Sequence, residues 1–132
     1  MEYPLSLSLQ EHLSNRVRRE PDHPRLLLLC HPPVFTIGKF GDEKNILHPN
    51  GIPIHRIDRG GDVTYHGPGQ IIGYPILSLR AHRLGVRGYV RRLENLLIGT
   101  LSHFQIKARR KEDCVGVWTD RGKIASIGVR VD

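Results

Sequence analysis

The chain has 132 residues, enough for one hydrophobic core, so a single domain over residues 1–132 is expected. Hydrophobic residues at 39% and charged residues at 25% are ordinary for a water-soluble domain, and no apolar run approaches the ~18 residues of a membrane span. Twenty Lys+Arg against thirteen Asp+Glu leave a net +7, which favours encounter with an acidic partner, while two distant cysteines, Cys30 and Cys114, support neither a disulfide framework nor a metal site.

The N-terminus reads MEYPLSLSLQ, with an acidic second residue and no basic n-region, so a cytoplasmic location is the default expectation. Pro4 near a helix start, Ser8 with Glu11 as a capping box, and Leu5, Leu9, Leu13 and Val17 at four-residue spacing predict an amphipathic helix ending before Pro21. The apolar run Leu26–Leu29 predicts a strand buried on both faces, with Cys30 as a small buried hydrophobe. Neighbours on a strand face opposite ways, so Cys30 and His31 are badly placed to share a proton. Val34–Ile37 resumes an extended segment, and residues 38–50 form a polar connection.

Candidate strands at Ile54–Asp58, Asp62–His66 and Ile71–Leu77 are most simply an antiparallel meander. Val86, Tyr89, Val90, Leu93, Leu97, Leu101 and Phe104 recur at three and four residues and predict a helix over 86–104, with Arg87, Arg91 and Arg92 on its other face. Two more strands follow at Val115–Trp118 and Lys123–Val129. Strands with helices inserted, and no regular βαβ alternation, indicate an α+β domain. The basic stretches 80–92 and 107–111 have little interleaved aromatic character and no nucleic-acid-binding signature, so no nucleic acid is expected.

The segment Arg59–Gln70, RGGDVTYHGPGQ, is the most informative part of the chain. Gly60, Gly61, Gly67 and Gly69 bracket Val63, Thr64 and a buried-looking Tyr65, the pattern of a short strand gripped by two tight turns that presents its backbone to a ligand.

Four segments together, LLLLCHPPVFTIGK (26–39), RGGDVTYHGPGQIIGYPI (59–76), GVWTD (116–120) and GKIASIGVRV (122–131), closely resemble the octanoyltransferases of lipoate biosynthesis. The resemblance runs over nearly the whole chain. It implies a mixed β-sheet with packed helices, of the biotin and lipoate protein ligase type. It also implies an acyltransferase that moves octanoate from octanoyl-acyl carrier protein to a lysine of the lipoyl domains of oxoacid dehydrogenase and related complexes, with no cofactor and no metal. The acidic carrier would account for the basic surface.

In the family a nucleophilic cysteine forms an acyl thioester, and a lysine in the GKIA segment, here Lys123, lowers the thiol's pKa or takes its proton. Ile124, Ala125, Ile127 and Val129 are expected to limit solvation of Lys123. The resemblance carries Arg59, Gly60, Gly61, Asp62, Val63, Thr64, Tyr65 and His66 over as substrate-binding positions. Ser126, Ile127 and Gly128 join them as small residues where backbone N–H groups can approach the acyl carbonyl. The two groups should line neighbouring walls; Asp62 also reads as facing solvent, and His31 as structural. The family's cysteine lies in a Pro-Cys-Gly setting that the resemblance places beyond Asp132, which implies a C-terminally truncated domain lacking the nucleophile. Two other readings are a lipoate or biotin ligase relative, although nothing marks a nucleotide site, and a non-catalytic module that holds acyl carrier protein or lipoyl domains.

Overall fold

The computed structural model describes residues 1–131. Helix α1 spans Tyr3–Arg19 and carries Pro4 in its first turn, where the missing N–H has no intrahelical partner to lose. Ser8 lies inside the helix and its Oγ donates to the Pro4 carbonyl at 3.2 Å, so Ser8 and Glu11 form no capping box. The buried stripe is Tyr3, Ser6 and Val17, and Leu5 faces solvent. A strict four-residue row drifts by about 40° per step around a 3.6-residue helix, so the predicted leucine row cannot stay on one face.

Strand β1 (Arg25–Leu29) pairs antiparallel with β5 (Ile72–Ile76) in a two-stranded sheet, with Leu27 opposite Tyr74. Helix α1 packs on β5. The other face is uncovered: Leu28 is 68% exposed, so β1 is not buried on both faces as its apolar run predicts. The alternation continues beyond the strand, turning Cys30 out to solvent and His31 into the core, and Cys30 is therefore not the buried hydrophobe expected.

Strand β2 (Val34–Ile37) is central in a second sheet, between β3 (Ile54–Arg56) and β4 (Val63–His66). It runs parallel to β3 and antiparallel to β4, which makes the sheet mixed. The expected meander is thus overturned. Val34, Thr36 and Ile37 are the buried residues of this sheet, and the strand that buries most takes the middle position. A single 3-10 turn, Glu43–Asn45, interrupts the polar connection.

Helix α2 spans Val86–His103, as the periodicity predicts, with Phe104 closing it through an N–H bond to Leu101 O. Arg87, Arg91 and Arg92 are exposed. Strands β6 (Arg109–Lys111), β7 (Cys114–Thr119) and β8 (Gly122–Ala125) form an antiparallel sheet centred on Val117, which is fully buried. β8 stops at Ala125, four residues short of expectation. The next residue available on β7, Gly116, has φ +124°, outside the extended range, and the ladder ends there.

The chain divides into two compact units: Met1–His82 with Arg130 and Val131, and Arg83–Val129. Among the described residues no helix is long and apolar enough to cross a membrane. The architecture is α+β, with helices and mixed and antiparallel sheets.

Candidate functional site

In the first unit, the Arg59–Gly61 turn is pressed against the end of β2. Lys39 N–H donates to Arg59 O at 2.9 Å and Gly38 N–H to Asp62 O at 3.2 Å. A Cβ on Gly38 would lie 2.4 Å from Gly61 O, and Gly61 has φ +94°, so the tight turn read from the sequence is built as such.

Arg59 folds back under this turn. Its Nη2 donates to Thr36 O (3.2 Å), Thr36 Oγ1 (3.0 Å) and Thr64 Oγ1 (2.8 Å), and its Nη1 to Gly60 O (2.9 Å). The guanidinium is half-buried, and among the described residues no carboxylate lies within ion-pair distance of it. Burial draws its pKa below the usual arginine value, against the opposing influence of Tyr3, Asp62 and Tyr74. Asp62 faces solvent, and its carboxylate accepts from Asp42 N–H (3.3 Å) and Asn45 Nδ2 (2.8 Å), which fastens the 38–45 connection.

On β4, Val63 and Thr64 are half-buried opposite Ile37 and Thr36. Tyr65 is 45% exposed, not buried as it reads in sequence; its ring leans on Phe35 at 5.3 Å. A Cβ on Gly67 would sit 2.5 Å from the Tyr65 hydroxyl, so Gly67 makes room for it. His66 is half-buried between Gln70 Oε1, 2.8 Å from Nδ1, and Thr36 Oγ1, 3.4 Å from Nε2. Burial lowers its pKa first; the charges of His31 and Arg59 add to that, and the Gln70 hydrogen bond opposes it.

Sequence reasoning missed the cluster behind this block. His31 is almost wholly buried, with Nδ1 2.7 Å from Met1 O and Nε2 2.9 Å from the Tyr74 hydroxyl. Its ring meets Tyr3 at 5.3 Å and His66 edge-on at 5.8 Å, and Tyr3 stacks on His55. Burial pushes the Tyr74 phenol up to about 12, with Tyr3 adding to the rise. The available signal was the strand alternation at Leu29, Cys30 and His31, which turns the histidine inward.

In the second unit, Lys123 is the cross-strand partner of Trp118. Its Nζ lies 5.4 Å from the indole centroid, and Lys111 Nζ lies 5.0 Å from the same ring. A Cβ on Gly116 would fall 2.5 Å from Lys123 Cε, so the lysine stem crosses the bare glycine backbone. The Gly116 N–H donates to Glu94 Oε1 at 3.1 Å, which accounts for the buried acid on α2. Lys123 is exposed, contrary to the expectation that its apolar neighbours limit solvation: Ile124 points to the other face and is itself exposed. Ser126, Ile127 and Gly128 follow β8 outside regular structure, with only Ile127 half-buried. Two open depressions of about 430 and 380 Å³ share Ile106 and Lys107, and none of the expected site residues lines either.

The octanoyltransferase of Pelobacter propionicus is 49% identical over 131 residues, covering 99% of this chain and 62% of its own length. Those of Shewanella woodyi and Geotalea uraniireducens are 44% and 50% identical, each over 94% of this chain and 56% and 58% of their own. The chain thus spans about three fifths of the length of these curated relatives. A solved protein of T. acidophilum, provisionally named a lipoate protein ligase, superposes with a TM-score of 0.57 at 19% identity, over 81% of this chain and 48% of its own, and shows a shared fold. The profile of the lipoyl protein ligase A/B catalytic domain matches residues 2–132, and the chain belongs to that family.

Proposed function

We propose that this chain supplies the acyl-binding block and the helper lysine of an octanoyltransferase, which moves octanoate from octanoyl-acyl carrier protein to a lysine of a lipoyl domain in the cytoplasm. The observation that carries the reading is the level of identity, 44–50% over nearly the whole chain, to proteins named octanoyltransferase. In this reading Arg59, Gly60, Gly61, Asp62, Val63, Thr64, Tyr65 and His66 bind the acyl substrate. Ser126, Ile127 and Gly128 offer backbone N–H groups to the acyl carbonyl, and Lys123 favours the thiolate that attacks the thioester.

That thiol is assigned to neither cysteine of residues 1–132. Cys30 is exposed on the strand face opposite His31, and Cys114 opens β7 opposite Lys111. Neither stands in a Pro-Cys-Gly setting. Exposed Arg87, Arg91 and Arg92 on α2, with Arg83 before it, support docking of an acidic carrier by long-range attraction.

Binding to octanoyl-acyl carrier protein and to the unacylated carrier tests the proposal. Expected is tighter binding of the acylated form, lost in His66→Ala, and slower association of an Arg87→Glu, Arg91→Glu variant at low salt. Equal affinity for the two carriers would remove the acyl-binding reading. Intact mass after incubation should show no hydroxylamine-labile octanoyl adduct on Cys30 or Cys114.

A further inference from the structure

The hydrogen bonds around His66 run in one direction, and following the protons fixes the state of the ring. Gln70 Nε2 donates to the Tyr65 carbonyl at 3.3 Å, and a carbonyl only accepts, so the Gln70 amide cannot be turned over. Its Oε1 therefore faces His66 Nδ1 at 2.8 Å, which requires a proton on Nδ1. On the other side, Thr36 Oγ1 accepts from Arg59 Nη2 at 3.0 Å, leaving the hydroxyl proton free to point at His66 Nε2, 3.4 Å away. Thr36 is fully buried, so no solvent competes for that proton.

We infer that Thr36 and Gln70 are positioning residues that hold His66 as a neutral imidazole with its proton on Nδ1, so that His66 neither gives nor takes a proton in acyl transfer. Charging the ring would place a second cation beside the half-buried Arg59 guanidinium, which has no carboxylate partner among the described residues. His31 presents its ring edge-on at 5.8 Å on the other flank and is tied to the Tyr74 hydroxyl. Burial and both of these groups oppose protonation. A neutral His66 adds no second formal charge to the wall beside Tyr65, which suits an alkyl chain better than an imidazolium does. The role in acyl transfer rests on the function proposed above; the tautomer does not.

Nitrogen-15 NMR of the histidine rings tests this on the chain as it stands, without substrate. At neutral pH the His66 signals should be those of a protonated Nδ1 and an unprotonated Nε2. Gln70→Leu should lose the single-form signature and lower the protonation midpoint of the ring, because the removed acceptor also stabilises the charged form. Thr36→Val should raise the midpoint by removing a hydroxyl that donates only to the unprotonated Nε2, and Thr36→Ser should restore wild-type behaviour. A wild-type ring protonated on Nε2, or charged at neutral pH, overturns the inference even if a variant fails to fold. A wild-type tautomer as stated, together with equal binding of the two carriers, leaves the tautomer assignment standing and removes the acyl-binding reading.

Discussion

The two regions that carry the family's motifs are held in place by different means. The 59–70 block is a connected network, in which Arg59, Thr36, Thr64, His66 and Gln70 share donors and acceptors and the glycines let the backbones meet. Among the described residues, the 116–125 hairpin has no such network around its lysine. Lys123 is solvent-facing and is guided by shape, with Gly116 beneath its stem and Trp118 beneath its ammonium. Substitutions in the first region should act through many side-chain bonds, and those in the second through sterics, one ring and the Gly116–Glu94 hydrogen bond.

The largest effect is expected where backbone geometry is least forgiving. Gly116→Ala should cost about 3 kcal/mol, read from urea unfolding. The new Cβ meets Ala125 O at 2.5 Å, and φ +124° is strained for any other residue. Gly38→Ala, at ordinary φ but 2.4 Å from Gly61 O, should cost about 2 kcal/mol. A Gly116→Ala protein as stable as wild type would show that the hairpin yields easily, and the contrast drawn above would fail.

Next in size is the buried acid. Glu94→Leu removes the acceptor of the Gly116 N–H and should destabilise by about 2 kcal/mol, whereas Glu94→Gln keeps an acceptor and should cost about 1 kcal/mol or less. Equal losses in the two variants would mean that charge, not hydrogen bonding, is what Glu94 provides.

How much of this was legible in sequence differs between the regions in the same way. The turns of the 59–70 block could be read because glycine has few other uses at such density, and α2 because its apolar period is sustained. The order β3-β2-β4 was not legible: a local pattern says which residues extend, but not that β2 inserts between two later strands. β6 went unseen because Arg109, Arg110 and Lys111 are all exposed and carry no alternation. The outward faces of Leu26 and Leu28 contradict the usual reading of an apolar run, since burial depends on what covers a strand. In the block itself, the roles of Thr36 and Gln70 depend on a fold that brings them to His66 from two elements. In sequence Arg59 reads as a ligand contact; its hydrogen bonds to Thr36, Thr64 and Gly60 are visible only in three dimensions.

The first region should also respond to alkali. Burial holds the Tyr74 phenol at about 12 against an ordinary value of 10.0, so between these values the unfolded chain has released a proton that the folded chain keeps. Stability therefore falls as pH rises through that window, and is unaffected by this group below it. The phenol is partly solvated, so the loss should be well short of what full burial would give. Urea midpoints at about pH 9 and about pH 11 should differ more in wild type than in Tyr74→Phe. Parallel curves would place the Tyr74 hydroxyl in solvent and loosen the cluster around His31.

The smallest effect, and the sharpest test of the contrast, concerns the ring beneath Lys123. Trp118 is the only tryptophan, so its fluorescence reports this site alone. Two ammoniums lie 5.0 and 5.4 Å from its centroid, a geometry worth about 0.5–1 kcal/mol each at exposed positions. Lys123→Met removes one charge while keeping much of the stem, and should shift the emission with a stability change of about 0.5 kcal/mol. Lys111→Met should give a change of similar size, because its ammonium lies at a similar distance from the same ring. If the ring orients Lys123, Trp118→Phe should preserve and Trp118→Leu should alter the rate at which an amine-directed reagent labels Lys123, relative to Lys44 in the same sample. Lys44 lies in the 3-10 turn of the first unit, so its labelling corrects for reagent and for general unfolding. Identical Lys123 labelling in both variants would mean that the lysine is placed by Gly116 and the hairpin backbone alone, with the indole as a bystander.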